Sequence, residues 1–474
     1  MPSKSLIPKT AAPKKILPKK PAPVSSADLS LEAKDKKYLW HPFTQMQDWE
    51  KEDILVIQKG KGVYLQDSRG RWYLDGVSSL WCNVHGHQVP TLDKAIRDQL
   101  KQVAHSTFLG LSNVPAIQLA EKLVHIAPPG LSRVFYSDSG SEAVEIALKM
   151  AFQYWRHKGH PEKQKFIKLT NAYHGDTLGS VSVGGMDLFH EIFKPLLFET
   201  YSVPSPYRYR WPAGSNPEQV KEESLAEMER VLAEHHQEIA ALIMEPLMQG
   251  AAGMIDQPSG YISRARELTK RYNVLLIFDE VATGFGRTGR MFASDHEKVT
   301  PDLLAVAKGL TGGYLPLAAT LATEKVYEAF LGDYSEFKTF FHGHTYTANP
   351  LACRVALASL ELFDQKNVLK KLEPKIQWLT KRLQDFYHLP SVGDIRQAGM
   401  MVGIELVRNR QSKEPFRPEE KMGIRVIQRA RKKGAILRPL GNVIVLMPPL
   451  AMTQKELSQL LDITYQSIEE GVGQ

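Results

Sequence analysis

From about Pro115 onward, short apolar runs at 134–136, 166–169, 241–244, 274–278 and 303–307 alternate with longer helical stretches. Runs of this length suit strands buried on both faces, and helical connections let successive strands lie parallel. The pattern predicts an α/β domain, a mainly parallel sheet between layers of helices. Earlier in the chain, 31–48 reads as a helix followed by irregular backbone. Segments 54–57, 62–65 and 72–76 read as short antiparallel strands, with turns at Lys59-Gly60 and Ser68-Arg69-Gly70. Beyond about Ala356, long amphipathic helices return with short strands at 401–406 and 443–447. The two ends together predict a small α+β domain. The expected boundaries are a tail at 1–30, the N-terminal part of the small domain at 31–105, the large domain at 106–355 and the C-terminal small-domain part at 356–474.

A chain of 474 residues exceeds what one core ordinarily serves. Its hydrophobic content of 43% and charged content of 24% are those of a globular protein in water. The net charge of +8 suggests an anionic partner until it is localised. Residues 1–24 hold six lysines and no acid, which leaves 54 basic against 52 acidic residues in the remainder. No nucleic-acid surface is therefore expected, and the Lys/Pro-rich start reads as a flexible tail. A transit peptide is the alternative, disfavoured because the segment lacks arginine. No run approaches the roughly 18 apolar residues of a membrane span, so a cytoplasmic protein without membrane partners is expected. Cys82 and Cys353 are the only cysteines, and their spacing supports neither a disulfide framework nor a metal site.

The chemistry is concentrated where apolar runs end. The run Leu303-Leu304-Ala305-Val306-Ala307 ends in Lys308, and Val274-Leu275-Leu276-Ile277-Phe278 ends in Asp279. A lysine alone is more often a surface residue that buries only its stem, and an aspartate alone is often an N-cap. Together they supply what a Schiff-base cofactor needs: an amine, and a carboxylate beneath a pyridine nitrogen. In Tyr136-Ser137-Asp138-Ser139-Gly140-Ser141-Glu142, a strand gives way to small residues and a helix. That turn is either a capped helix start or a phosphate cradle built from free amides. Tyr173-His174-Gly175-Asp176 and Glu245-Pro246 also follow strands; there Tyr173 is either a ring that stacks on a flat cofactor or a loop aromatic packed on the core. Gly284-Phe285-Gly286-Arg287-Thr288-Gly289 has glycines at nucleotide-loop intervals but does not join a strand to a helix, so that reading is rejected.

Taken in order, these segments resemble the class III, fold-type I, pyridoxal-phosphate-dependent aminotransferases, from about residue 36 to the end. Within that family the chain is similar to the branch that transaminates 8-amino-7-oxononanoate to 7,8-diaminononanoate in biotin biosynthesis. The similarity rests on Trp40-His41-Pro42-Phe43-Thr44-Gln45-Met46, Asp75-Gly76-Val77-Ser78-Ser79-Leu80-Trp81, His85-Gly86-His87, Ala282, Ile436-Leu437-Arg438-Pro439 and Leu446-Met447-Pro448-Pro449.

The resemblance implies pyridoxal 5′-phosphate as cofactor and ping-pong transfer by way of its pyridoxamine form, within a homodimer whose active sites are shared. It implies Lys308, Tyr173 and Asp279 as catalytic residues. Ser139, Gly140, Ser141 and Glu245 join them in holding the cofactor, with Thr345 reaching the phosphate from the neighbouring subunit. Phe43, Trp81, Asp176, Arg287, Gly343 and Arg438 fall on the substrate side, with Arg438 as a carboxylate clamp. The implied amino donor is S-adenosylmethionine, or else lysine, because Phe43, Leu80, His344 and Val445 depart from the usual family residues. The rival expectation is a class III enzyme acting on ω-amino acids or diamines.

Overall fold

The computed structural model describes residues 29–186, 190–211 and 216–472. All but the last two positions of the expected tail lie outside the described residues. The chain divides into a first unit ending at Gln58 and a second beginning at Lys59.

The first unit is held by polar contacts, because its helix Leu31–Tyr38 buries no residue. Ser30 caps that helix by accepting the Ala33 N–H at 3.2 Å. The Asp35 carboxylate accepts the Trp49 indole N–H at 2.8 Å and lies 3.0 Å from His41 Nε2. Lys36 donates to the carbonyls of Glu50 and Glu52. The expected strand at 54–57 instead falls later, at Ile57–Lys61. Its side chains are mostly exposed, so hydrophobic alternation had nothing to register there.

The second unit is built on seven strands: β1 Leu131–Ser137, β2 Lys165–Leu169, β3 Thr200–Val203, β4 Ile239–Met244, β5 Leu275–Asp279, β6 Leu303–Val306 and β7 Ala318–Thr323. Their order across the sheet is β1-β7-β6-β5-β4-β2-β3. Strands β6, β5, β4, β2 and β3 run parallel, and β7 is antiparallel to both of its neighbours. The α/β architecture is the expected one. Strands β3 and β7 escaped the sequence reading. In β7, Ala-Ala-Thr-Leu-Ala-Thr lacks a bulky apolar run, yet its first five residues are buried. Its small side chains leave room for helix Gly140–His157, and Thr320 donates its hydroxyl to the Ala143 carbonyl at 2.7 Å.

Helix Gly140–His157 packs Ala143, Val144, Ala147, Leu148, Ala151 and Trp155 onto one face of the sheet. Leu119, Leu123, Met228, Tyr261 and Leu268 belong to the larger cluster that includes the other face. Each fully buried large apolar side chain contributes roughly 1.5–3 kcal/mol.

Beyond this layer, Val392–Ala398, Met401–Asn409, Val443–Leu446 and Arg438–Leu440 form an antiparallel sheet in that order. Trp72–Asp75 pairs antiparallel with Tyr64–Asp67 and parallel with Ala435–Ile436. The early and late parts of the chain therefore share hydrogen bonds, as the sequence predicts. No helix among the described residues is long and apolar enough to cross a membrane.

Candidate active site

The C-terminal ends of the parallel strands face one crevice, the usual place for a site in such sheets. Strand β5 ends in Asp279, β4 is followed by Glu245, β6 by Lys308 and β1 by Ser139-Gly140-Ser141. Register brings Asp279 opposite Ala305, three residues before Lys308. At Lys308 the backbone turns sharply out of the sheet with φ 41°, a left-handed conformation that a lysine adopts only under strain. A cavity of about 390 Å³ is lined by Ser139, Gly140, Ser141, Val281, Lys308 and Tyr314, among others. The lysine and the small-residue turn, distant in sequence, thus share one space.

The crevice holds an unusual density of buried ionisable groups. Asp279 is 4% exposed. One of its oxygens accepts the Val281 N–H at 3.0 Å, and the other lies 2.8 Å from His174 Nδ1. His174 is itself buried, and its Nε2 has no partner among the described residues. Glu245 accepts the amides of Tyr173 at 3.3 Å and Gly250 at 2.9 Å. Burial pushes its carboxyl up to about 7; nearby His174 opposes that rise and Asp279 adds to it. Burial pulls Lys308 below the ordinary lysine range, against the opposing pull of Asp279 and Glu245. Its ammonium makes no hydrogen bond among the described residues and lies 5.5 Å from the centre of the Trp81 ring.

The turn after β1 is capped reciprocally. Ser139 Oγ accepts the Glu142 amide at 3.3 Å, while Glu142 accepts those of Asp138 at 2.8 Å and Ser139 at 3.0 Å. A Cβ at Gly140 would lie 2.6 Å from Val281 Cγ1, so this wall admits only glycine. The Ser141 hydroxyl is already engaged with Thr177, at 2.8 Å from Oγ1 and 3.1 Å from the amide. What the turn presents to the cavity is therefore the start of a helix, with Gly140 and Ser141 in its first turn.

Tyr173, which is not among the residues lining that cavity, donates its hydroxyl to Asp176 at 2.7 Å. Burial, then Asp176, push that hydroxyl above the ordinary tyrosine range. Half-buried Arg438 carries its charge near Tyr173, and burial lowers its guanidinium below the usual range. Trp81 is 6% exposed and sits in a contorted segment in which Ser78, Ser79 and Trp81 all have φ between 53° and 64°. Asp75 accepts the Ser79 amide at 2.7 Å, and Ser78 donates to the Met447 carbonyl at 2.6 Å, which fixes the contortion. Arg287, 1% exposed, donates to the carbonyls of Pro448 and Asn83 at 2.7 Å each and of Trp81 at 3.4 Å. Its charge is spent on the backbone that carries Trp81.

Phe43 belongs to the first unit and is 59% exposed. Gly343 and Thr345 lie exposed in a loop and are not among the cavity-lining residues. Of the departing positions, Leu80 is 50% exposed, Val445 is buried, and His344 Nδ1 lies 3.6 Å from Glu142. His174 received no role from the sequence. Only its place beside Tyr173 at a strand exit signalled it, because the aspartate it meets is 105 residues away.

A family model described as aminotransferase class-III matches residues 45–468. Relatives named adenosylmethionine-8-amino-7-oxononanoate aminotransferase, from Geobacter sulfurreducens and Aquifex aeolicus, are 55% and 53% identical over 440 and 442 residues. In both cases 93% of this chain and 97% of the relative are covered. The crystal structure of the enzyme of that name from Methanocaldococcus jannaschii matches with a TM-score of 0.89 at 48% identity, covering 93% of this chain and 98% of that one. The ω-transaminase of Pseudomonas jessenii, solved in complex with PMP, matches with a TM-score of 0.90 at 33% identity, covering 94% and 98%.

Proposed function

The chain belongs to the class-III aminotransferases, and from that premise we propose that it converts 8-amino-7-oxononanoate to 7,8-diaminononanoate in biotin biosynthesis. S-adenosylmethionine is the proposed amino donor, with lysine as the alternative. The name shared by relatives at 53–55% identity supports this acceptor. The observation that carries the reading is the single cavity lined by both Lys308 and the Ser139–Ser141 turn.

Pyridoxal 5′-phosphate is the proposed cofactor, and the residues present fit it. Gly140 lets Val281 close against the turn at a distance no Cβ would allow, and a lysine without a hydrogen-bond partner stands in the same cavity as that helix start. Gly140 and Ser141 amides would hold the phosphate, with Ser139 capping their helix. Asp279, oriented by His174, would hold the pyridine nitrogen, Tyr173 the ring, and Glu245 the backbone around Tyr173 and Gly250. When bound, the cofactor supplies an aldehyde that captures primary amines and a ring that withdraws electrons from the adjacent carbon.

Lys308 would be the amine that holds the cofactor. Because its pKa lies below the usual range, Nζ takes a proton from the amine-bearing carbon of the donor and delivers one to the former ketone carbon of the acceptor. Donor and acceptor react in turn. Arg438 clamps the acceptor carboxylate with its planar fork, Trp81 forms the apolar wall, and Arg287 keeps that wall in place. Asp176 and Gly343 complete the substrate side.

We place Thr345 at the phosphate of a second copy in a homodimer. Exposed apolar side chains at Leu109, Tyr334, Phe341 and Tyr346, 57–92% accessible, support such an interface. The proposed large domain spans 106–355, and the free thiols of Cys82 and Cys353 suit a cytoplasmic enzyme.

The test is a single-turnover absorbance scan of the yellow holoenzyme, mixed separately with S-adenosylmethionine, lysine and ornithine. Bleaching by S-adenosylmethionine with recovery on adding 8-amino-7-oxononanoate is the expected result. Bleaching by lysine alone, with the same recovery, changes only the donor. Bleaching by ornithine without recovery on the oxononanoate defeats the assigned acceptor.

A further inference from the structure

Trp81 rests in a bed of methionine. One apolar cluster joins it to Met248, Met254, Met401 and Met447, with Ala282 and Val445 completing the buried set. Four of the chain's 14 methionines fall in these seven residues, and all four are 0% exposed. They arrive from two directions. Met248 and Met254 belong to the hairpin that pairs Met248–Gln249 with Ile255–Asp256. Met401 opens one strand of the C-terminal sheet, and Met447 follows another. Methionine is unbranched with three rotatable side-chain bonds, so a wall backed by it repacks at low cost. It recurs where one surface must fit several ligands.

A buried indole is ordinarily fixed by a hydrogen bond from its N–H. Trp155 follows that rule, donating to the Ala240 carbonyl at 2.8 Å. Trp81 Nε1, equally enclosed, has no partner among the described residues. Its main chain, by contrast, is held through the Arg287 contact and the neighbouring Asp75 and Ser78 bonds. The backbone is fixed, while the ring makes no hydrogen bond and is held by this soft packing and by the cavity-lining Lys308, whose ammonium lies 5.5 Å from its centre.

We propose that Trp81 on its methionine bed is a compliant wall that lets one cavity take two differently shaped substrates in turn. The first is the bulky amino donor. The second is the slender acceptor, whose carboxylate is held at Arg438, the residue opposite Val445 of the same cluster. The inference rests on the two-substrate transfer proposed above. Met248, Met254, Met401 and Met447 are positioning residues, acting through Trp81.

The variant carrying Met248→Leu, Met254→Leu, Met401→Leu and Met447→Leu nearly conserves volume while introducing stiffer, branched side chains. In single-turnover experiments on the holoenzyme, the donor half-reaction is expected to show an apparent Kd raised about tenfold, the scale of one methylene of misfit. The acceptor half-reaction should stay within about threefold, with an unchanged melting temperature. Met228→Leu, in helix Pro217–His235, serves as the control and should change neither half-reaction.

In ¹³C-methyl-methionine spectra of the wild type, assigned by single leucine substitutions, the four methyls should move to different positions with donor and with acceptor. This measurement and the single variants keep the test open if the quadruple variant fails to fold. Equal losses in both half-reactions, no loss in either, or four methyl signals that ignore both substrates would overturn the compliant wall. A wild type that reacts with neither substrate would instead bring down the proposed function, and the inference with it.

Discussion

Two regions of this molecule bury charge, and they do so in opposite ways. Beneath the C-terminal sheet, Arg396 is 1% exposed and donates to Glu405 at 2.6 Å, Asp394 at 3.0 Å, and the carbonyls of Gly253 at 2.7 Å and Met254 at 2.9 Å. Arg210 and the Tyr207 hydroxyl converge on the same Glu405. At the crevice, Lys308 has no hydrogen bond among the described residues, His174 keeps an unpartnered nitrogen, and Glu245 is pushed up to about 7. Saturated charge closes a structure, since removing one partner strands the rest. Charge left short of partners weakens the empty protein and marks where a ligand completes the set.

The sharpest way to separate the two regions is Lys308→Ala. It should lower turnover by about 10⁴-fold or more, because the proton-transferring amine is gone. The melting temperature of the cofactor-free variant should stay level or rise, because a half-buried, poorly solvated ammonium without a hydrogen-bond partner has been removed. A variant with normal turnover would end the lysine's assigned role. Arg396→Ala should do the reverse. It leaves Glu405 and Asp394 enclosed without their main partner and should cost about 3–5 kcal/mol in denaturant unfolding. A loss below about 1 kcal/mol would show that the network is no more than a surface ion pair in energetic terms.

A smaller effect lies in pH. Glu245 and Glu280 both stand at about 7 when folded, against 4.5 ordinarily, in each case raised chiefly by burial. A raised folded pKa means that the native state binds more protons than the unfolded state between those values. Stability of the cofactor-free protein should therefore fall as pH rises from about 4.5 to 7, by up to about 3 kcal/mol for each group. Glu245→Gln should remove about half of that slope in urea titrations across the range, leaving the Glu280 half. An unchanged slope would place the proton elsewhere. Smallest of all, Ser139→Ala should cost about 1 kcal/mol through the lost helix cap, read as a small drop in melting temperature.

The same contrast explains what the sequence could tell. Lys308 and Asp279 were legible because each terminates an apolar run, which makes a polar residue conspicuous. Arg396 sits in a strand where polar residues are interspersed with apolar ones, and Glu405 is a lone acid inside the run Met401–Val407; neither local pattern names the partner that each meets on the neighbouring strand. The Arg287 contacts were equally hidden, since a guanidinium seated on three backbone carbonyls leaves no side-chain partner to recognise. His174 depended on a contact across 105 residues. Five strands of the large sheet showed as apolar runs, whereas β7 is built largely from alanine and threonine. Local patterns report burial and periodicity, and pairings between distant segments leave no trace in them.

The reversed strand β7 also sets an order of assembly. In the sheet, β1 is an edge strand whose neighbour is β7. A chain emerging from the ribosome delivers the Ser139–Ser141 turn early, yet the strand that fastens β1 to the rest ends only at Thr323. Until then the turn has no fixed position relative to Lys308. The cavity is thus completed by the last strand of the large sheet to be made. A nascent chain halted before Ala318 would carry every residue of the turn and the lysine, and still lack the space they are meant to enclose.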